Sequence, residues 1–316
     1  MRIIFMGTPD FAVESLKVLV ENHCNVVAVI TAPDKPAGRG QKLRETPVKV
    51  YANQNNIPVL QPPRLKNPEF LEELRSYKAD LQIVVAFRML PEIIWAMPPK
   101  GTFNLHGSLL PQYRGAAPIN WAIMNGEEQT GVTTFFIEKE IDTGKIMFTD
   151  TLDIGENMTA GELHDEMMVA GANLVLKTVR AIEKNEYPVV AQNELINSET
   201  ELKEAPKIHK ETCQINWNKT ASEVHNHIRG LSPYPAAWAE LMVNGKQQAV
   251  KIFESRVADN KSGITGKIDT DNKTYLSVGT ALGSVHILSL QMPGKKRISI
   301  EEFLRGYDAN SLEVVL

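Results

Sequence analysis

Residues 2–20, RIIFMGTPDFAVESLKVLV, decide the fold class. Arg2–Met6 is a short, nearly all-apolar run, the pattern of a strand covered on both faces. Thr8 and Pro9 follow as a predicted helix N-cap and first helical residue. Ala12, Leu16, Leu19 and Val20 then share one helical face. Val26–Ile30, Leu81–Ala86 and Thr102–Leu105 are further runs of the same kind, with helical stretches between them. That alternation predicts an α/β domain with a doubly wound, mostly parallel, Rossmann-like sheet. Val132–Ile137 adds a strand. Thr159 and Glu162 have capping-box spacing. They open a long helix whose Leu163, Met167, Leu174, Val175, Val179 and Ile182 lie on one face.

The pattern changes near residue 190. Residues 188–206, PVVAQNELINSETELKEAP, are polar and weakly patterned. The predicted division is a first domain over 1–189, a linker over 190–206 and a second domain over 207–316. In the second domain Ala221–Gly230 reads as a helix. LMVNGKQQAVKIF carries the hairpin signal Asn244-Gly245. ITGKID, YLSVGT and SVHILSL are short, closely spaced strands. Together they predict a small antiparallel, OB-like β-barrel.

Composition narrows the function classes. The chain has 316 residues, 43% apolar and 23% charged, as expected of a folded domain pair. No run approaches the roughly 20 apolar residues of a membrane helix, so no membrane partner is expected. MRIIFMGTPDF is too soon interrupted to be a secretory signal. Cys24 and Cys213 cannot make a disulfide framework or a four-cysteine zinc site. A reducing cytoplasm is the expected compartment. Net charge is −4, which taken whole argues against a nucleic-acid partner. The charge is unevenly spread: residues 207–316 carry 14 Lys and Arg against 11 Asp and Glu, residues 1–206 carry 20 against 27. A cationic island, Lys35, Arg39, Lys42 and Arg44, lies in the Pro- and Gly-rich loop Ala32–Pro47.

The chemistry concentrates in 102–121, TFNLHGSLLPQYRGAAPINW. Asn104 and His106, two apart on a strand, point to the same face. Ligands of open parallel sheets bind beyond the strands' carboxyl ends. Asp142, in IDTG after Val132–Ile137, is a third polar candidate. Taken singly, such residues are more often a hydrogen-bonded structural histidine, a strand-end asparagine and a turn aspartate. No G-x-G-x-x-G follows the first strand, so a dinucleotide is not expected. His225 and His227 do not share a helix face, which argues against a zinc pair, and His164 reads as a surface residue.

NLHGSLLPQYRGAAPINWAI resembles the folate-dependent formyltransferases, and reading it with Asn104, His106 and Asp142 reverses the odds. MGTPDFA resembles that family's opening, APDKPAGRGQKL its inserted loop, IDTGKI its aspartate segment, and the tail with LSPYPAAW its smaller barrel domain. The resemblance implies formyl transfer from 10-formyltetrahydrofolate to an amine, with no metal and no covalent enzyme intermediate. It implies Asn104, His106 and Asp142 as the catalytic set. Ser108, Leu109, Leu110 and Pro111, with Phe87, Met89 and Leu90, would line the folate slot. The loop and the barrel imply as acceptor the α-amino group of methionyl initiator tRNA rather than DNA or a small molecule. Arg39, Lys42 and Arg44, and Lys295, Lys296 and Arg297 in the barrel, would meet that RNA. The expected active species is a monomer. Two rivals remain: the same chemistry on a sugar amine or glycinamide ribonucleotide, and a non-catalytic RNA-binding protein. Ala86–Pro91 is shorter and more basic than the family pattern, and Glu140 stands where a glycine is common.

Overall fold

The structure, a computed structural model, describes residues 1–37, 42–196, 201–258, 264–308 and 311–315. It divides into two compact units. One comprises Met1–Gly115, Thr130–Leu152 and His164–Glu204; the other comprises Ala116–Gln129, Asp153–Leu163 and Ala205–Leu316. Residues 116–129 and 153–163, which the sequence reading includes in the first domain, thus go with the second unit.

The elements run β1 (Arg2–Gly7), α1 (Asp10–Glu21), β2 (Asn25–Ile30), β3 (Lys35–Ala37), β4 (Lys42–Arg44), α2 (Pro47–Gln54), β5 (Val59–Leu60), α3 (Pro68–Ser76), β6 (Leu81–Val85) and α4 (Glu92–Trp95). They continue with β7 (Thr102–His106), β8 (Arg114–Gly115), α5 (Pro118–Met124), β9 (Gln129–Phe136), β10 (Ile146–Asp153) and α6 (Ala160–Lys184). The first unit is built on one seven-stranded sheet of order β10-β9-β7-β6-β1-β2-β5. β1 pairs in parallel with β2 and β6, β2 with β5, and β6 with β7. β7 and β9 are antiparallel. This is the mostly parallel, Rossmann-like sheet expected. Ile3–Met6 are fully buried because both faces of the central strand are covered. Ala12, Leu16 and Leu19 of α1 are fully buried too. The start of α1 differs from expectation: Pro9, not Thr8, occupies the N-cap position and no side chain caps it. Asp10 in the first turn supplies negative charge at the positive end of the helix dipole.

The segment expected as a linker is partly built into the first unit. Ile146 and Val190 exchange both backbone hydrogen bonds at 2.9 Å. Gln192–Leu195 form a 3-10 turn in which Gln192 is buried. The expected basic loop is an antiparallel ribbon, β3 on β4, with Lys35 opposite Arg44.

β11 (Glu204–Ala205) falls at the boundary, and in the second unit come α7 (Ala221–Gly230), β12 (Ala237–Val243), β13 (Lys246–Val257), β14 (Ile268–Thr270), β15 (Leu276–Gly279), β16 (Ser284–Gln291), β17 (Arg297–Ser299), α8 (Ile300–Gly306) and β18 (Glu313–Val314). β14-β15-β16-β13-β12-β18 make one sheet, with β17 paired to β16, and it forms a barrel-like antiparallel wall. Asn244 (φ 50°) and Gly245 (φ 71°) close the β12–β13 hairpin as two left-handed residues, the backbone such a turn requires. Alternate residues of β12 (Ala237, Ala239, Leu241, Val243) enter a core with Trp217, Val224, Ile228 and Phe303. α7 carries a complete capping box of Thr220 and Glu223.

Candidate active site

β7 delivers Asn104, half-buried, and His106, 6% exposed, at the carboxyl edge of the sheet. The carboxamide of Asn104 has no hydrogen-bond partner among the described residues. His106 Nε2 lies 2.8 Å from the carbonyl oxygen of Tyr113. A carbonyl only accepts, so Nε2 carries the hydrogen and donates it. In a neutral ring that bond fixes the tautomer and leaves the lone pair on Nδ1. Nδ1 faces Asp142 Oδ2 at 3.8 Å. Phe135 meets the ring edge-on at 6.5 Å.

Asp142 is held from several directions. Its Oδ2 accepts the backbone N–H of Gly115 at 3.0 Å. Its own φ is 55°, a left-handed conformation that aspartate tolerates better than most residues. Gly144, two residues on, passes so close to the neighbouring chain that a Cβ there would lie 1.7 Å from the carbonyl oxygen of Phe136. Tyr113 (φ 58°) and Ala86 (φ 47°) are also left-handed. Such backbone persists where its surroundings over-determine it, and it clusters at functional sites.

Ser108–Pro111 follows directly. Ser108 is fully buried and its hydroxyl donates to Gln112 O at 2.6 Å. Thr133 on β9 donates to Ser108 O at 2.7 Å and accepts from Leu110 N–H at 3.2 Å. One threonine therefore pins the turn to the sheet. Leu110 packs with Phe135 and Ile146, while Leu109 is half-exposed and Pro111 buried. In the other predicted segment, Phe87 and Leu90 pack against the core and Met89 is 74% exposed. The unexpected Arg88 binds structure rather than the site: its guanidinium donates to the carbonyls of Pro62 and Pro63 and lies over Phe87. Burial lowers its pKa. Glu140 is exposed, and its carbonyl accepts from Thr143.

Gln192, Arg114 and Gly115 are site residues that the catalytic and binding assignments from sequence do not include. Gln192, 3% exposed, donates to the carbonyls of Asp142 and Gly144, both at 2.8 Å. Its Oε1 accepts from Arg114 Nε at 3.0 Å and Nη2 at 2.6 Å. The only sequence signal for Arg114 and Gly115 is their place in QYRGAAP. Gln192 carries no signal, because the residues it binds are about 50 and 78 positions away.

Arg39 lies outside the described residues, and Arg44 is exposed at the end of the ribbon. The ribbon's root is fixed by Asp34, which pairs with Lys49 at 2.5 Å and accepts from Gln61 at 2.8 Å. Those hydrogen bonds, Lys49 foremost, hold the Asp34 carboxyl below its ordinary range. Lys42 forms part of β4. In the second unit Lys295 and Lys296 are exposed, whereas Arg297 is held by Ser289 and Glu254 and lies over Phe253. In that unit His225 is buried and His227 half-buried, and desolvation lowers both pKa values. His164 stacks obliquely on Phe11 at 5.2 Å and contacts Asp165.

Residues 1–179 match the formyl transferase family, and 207–308 match the formyl transferase C-terminal domain. A methionyl-tRNA formyltransferase of Bacteroides thetaiotaomicron is 54% identical over 309 residues, 97% of this chain and 96% of that protein. One from Flavobacterium johnsoniae is 48% identical over 306 residues, 97% of this chain and 96% of that protein. Among solved structures, the sugar 3N-formyl transferase WlaRD, crystallised with dTDP and 5-N-formyl-THF, superposes with a TM-score of 0.66 at 24% identity. That match covers 94% of this chain and 99% of that one, a likeness of fold.

Proposed function

The chain belongs to the formyl transferase family, and on that premise we propose that it formylates the α-amino group of methionyl initiator tRNA, taking the formyl group from 10-formyltetrahydrofolate. The observation that carries the chemistry is that Asn104 and His106, two apart at the carboxyl end of β7, share a face, with His106 Nδ1 3.8 Å from the Asp142 carboxylate. The near full-length relatives support methionyl-tRNA as the acceptor. We read the first unit as the catalytic one and residues 207–316, the bulk of the second, as RNA-binding. The protein acts in this reading as a cytoplasmic monomer.

The free amine attacks the formyl carbon, forming a C–N bond while the carbonyl pair moves to oxygen. Asn104 donates from its carboxamide to that developing oxyanion. One such donor is typically worth ~3 kcal/mol in the transition state. The amine proton passes to the Nδ1 lone pair of His106, directly or through a water oriented by Asp142. Asp142 then stabilises the imidazolium that forms. Collapse returns the carbonyl, breaks the bond to the folate nitrogen, and that nitrogen takes the proton back from His106. Protons balance and no covalent enzyme intermediate forms. Ser108–Pro111 with Phe87, Met89 and Leu90 lines the folate slot, and the exposed Met89 is the side chain with most area to bury on a ligand. Arg39, Lys42 and Arg44, in the basic stretch Ala32–Pro47, meet the acceptor end, where a guanidinium can bind phosphate or stack on an unpaired base. Lys295, Lys296 and Arg297 form the second patch.

Purified protein given 10-formyltetrahydrofolate and methionyl-tRNA should yield formylmethionyl-tRNA. Faster formylation of a sugar amine or glycinamide ribonucleotide would overturn the acceptor assignment. Folate binding without turnover on any amine would overturn the reaction itself.

A further inference from the structure

We propose that Gln192 is a positioning residue for the reaction, and that its carboxamide, locked by Arg114, sets where Asp142 stands relative to His106. The inference rests on the role of Asp142 given above. The geometry is fully committed. A carboxamide has two N–H donors and an oxygen that accepts twice. Here both donors go to carbonyls of the aspartate loop, Asp142 O and Gly144 O, at 2.8 Å. Both lone pairs of the oxygen receive the planar fork of Arg114, at 3.0 and 2.6 Å. The orientation is unambiguous, because a flipped amide would set N–H against guanidinium and oxygen against two carbonyls.

The position of Arg114 makes this a device rather than a local brace. The residue before it, Tyr113, receives the His106 hydrogen bond on its carbonyl; the residue after it, Gly115, donates its N–H to the Asp142 carboxylate. Three consecutive residues therefore hold the histidine, the glutamine and the aspartate. Gln192 closes the loop by gripping the backbone of Asp142 while Gly115 grips its side chain. The left-handed φ of 55° at Asp142 needs such over-determination. Misplacing a catalytic group by about 1 Å can cost a hundredfold in rate. Gln192 is also 3% exposed, so it works through Asp142 and not by touching substrate.

The test compares Gln192→Glu, Gln192→Ala, Asp142→Ala and the Gln192→Ala/Asp142→Ala double variant. For each, kcat and KM for methionyl-tRNA and for 10-formyltetrahydrofolate are measured, with thermal unfolding as a check on folding. Gln192→Glu keeps the size and the Arg114 partner but places an oxygen against the two carbonyls. It should lower kcat roughly 10- to 100-fold with either KM within about twofold. A residue that only fills space and pairs Arg114 would tolerate Glu, so near-normal kcat in a folded Gln192→Glu overturns the proposal. The double variant should be no slower than Asp142→Ala, since the function of Gln192 is spent on Asp142. Losses that multiply would overturn it as well. If Gln192→Ala does not fold, Gln192→Glu with and without Asp142→Ala carries the same comparison. Normal turnover by Asp142→Ala instead removes the aspartate's own role, a result told apart from the others by that single variant.

Discussion

At the residue scale, the tautomer of His106 is decided by one carbonyl. Tyr113 O takes the Nε2 hydrogen and Nδ1 faces Asp142, so in the proposed reaction Nδ1 is the atom that exchanges the proton. Asn104→Ala should lower kcat about 10²- to 10³-fold, the loss typical of one oxyanion donor, in single-turnover formylation. His106→Ala should lower it comparably or more, while folate binding measured by titration changes little; an unchanged rate would remove His106 from the mechanism. Gly144 makes a different, purely steric demand. Its Cβ position is 1.7 Å from Phe136 O, so Gly144→Ala must displace the aspartate loop. It should cost about 1–3 kcal/mol in denaturant unfolding and slow turnover as well.

At the element scale, two short features are testable on their own. The β3–β4 ribbon is anchored at its root by Asp34, Lys49 and Gln61, and Arg44, opposite Lys35, is exposed at that same root. Arg39→Ala and Arg44→Ala should raise KM for tRNA severalfold and leave kcat at saturating tRNA near the parent value; a lost kcat with unchanged KM would assign the ribbon to chemistry instead. The capping box of α7 holds the Glu223 carboxyl down at about 2, chiefly through the backbone N–H and hydroxyl of Thr220 and then Lys219. A depressed carboxyl contributes stability that is complete above its ordinary value of 4.5 and fades as pH falls toward 2. Thr220→Ala should therefore cost about 1 kcal/mol at neutral pH. Urea unfolding should show that difference shrinking in acid.

For the whole molecule, the relevant quantity is the distribution of charge. The excess of acid lies in residues 1–206 and the tail from 207 is mildly basic, with a separate cationic island in the ribbon. Few phosphates can be neutralised by so few cations, and Arg297 is already engaged by Glu254. Binding of tRNA should then weaken roughly 10- to 40-fold between about 50 and 200 mM salt, the loss expected for two or three phosphate contacts. A flat salt profile would oppose an electrostatic footing for RNA binding. The two compact units also cut across the sequence order, since residues 116–129 and 153–163 join the second.

Much of this was legible from residue patterns because it depends on near neighbours in the chain. All-apolar runs such as Ile3–Met6, the helical spacing of Ala12, Leu16 and Leu19, the Asn244-Gly245 turn and the Thr159–Glu162 capping box are each set within a few positions. Asn104 and His106 were legible together because a strand's period of two puts them on one face. The start of α1 was missed by one residue, since Thr8 had no cap geometry to satisfy once Pro9 took that place. What only the tertiary structure decided is which atom of His106 is free, that Arg88 and Arg297 are tied into the fold, and that the segment after α6 returns Gln192 to the aspartate loop. Those outcomes depend on groups tens of residues apart meeting at hydrogen-bond distance, and no local pattern encodes that meeting.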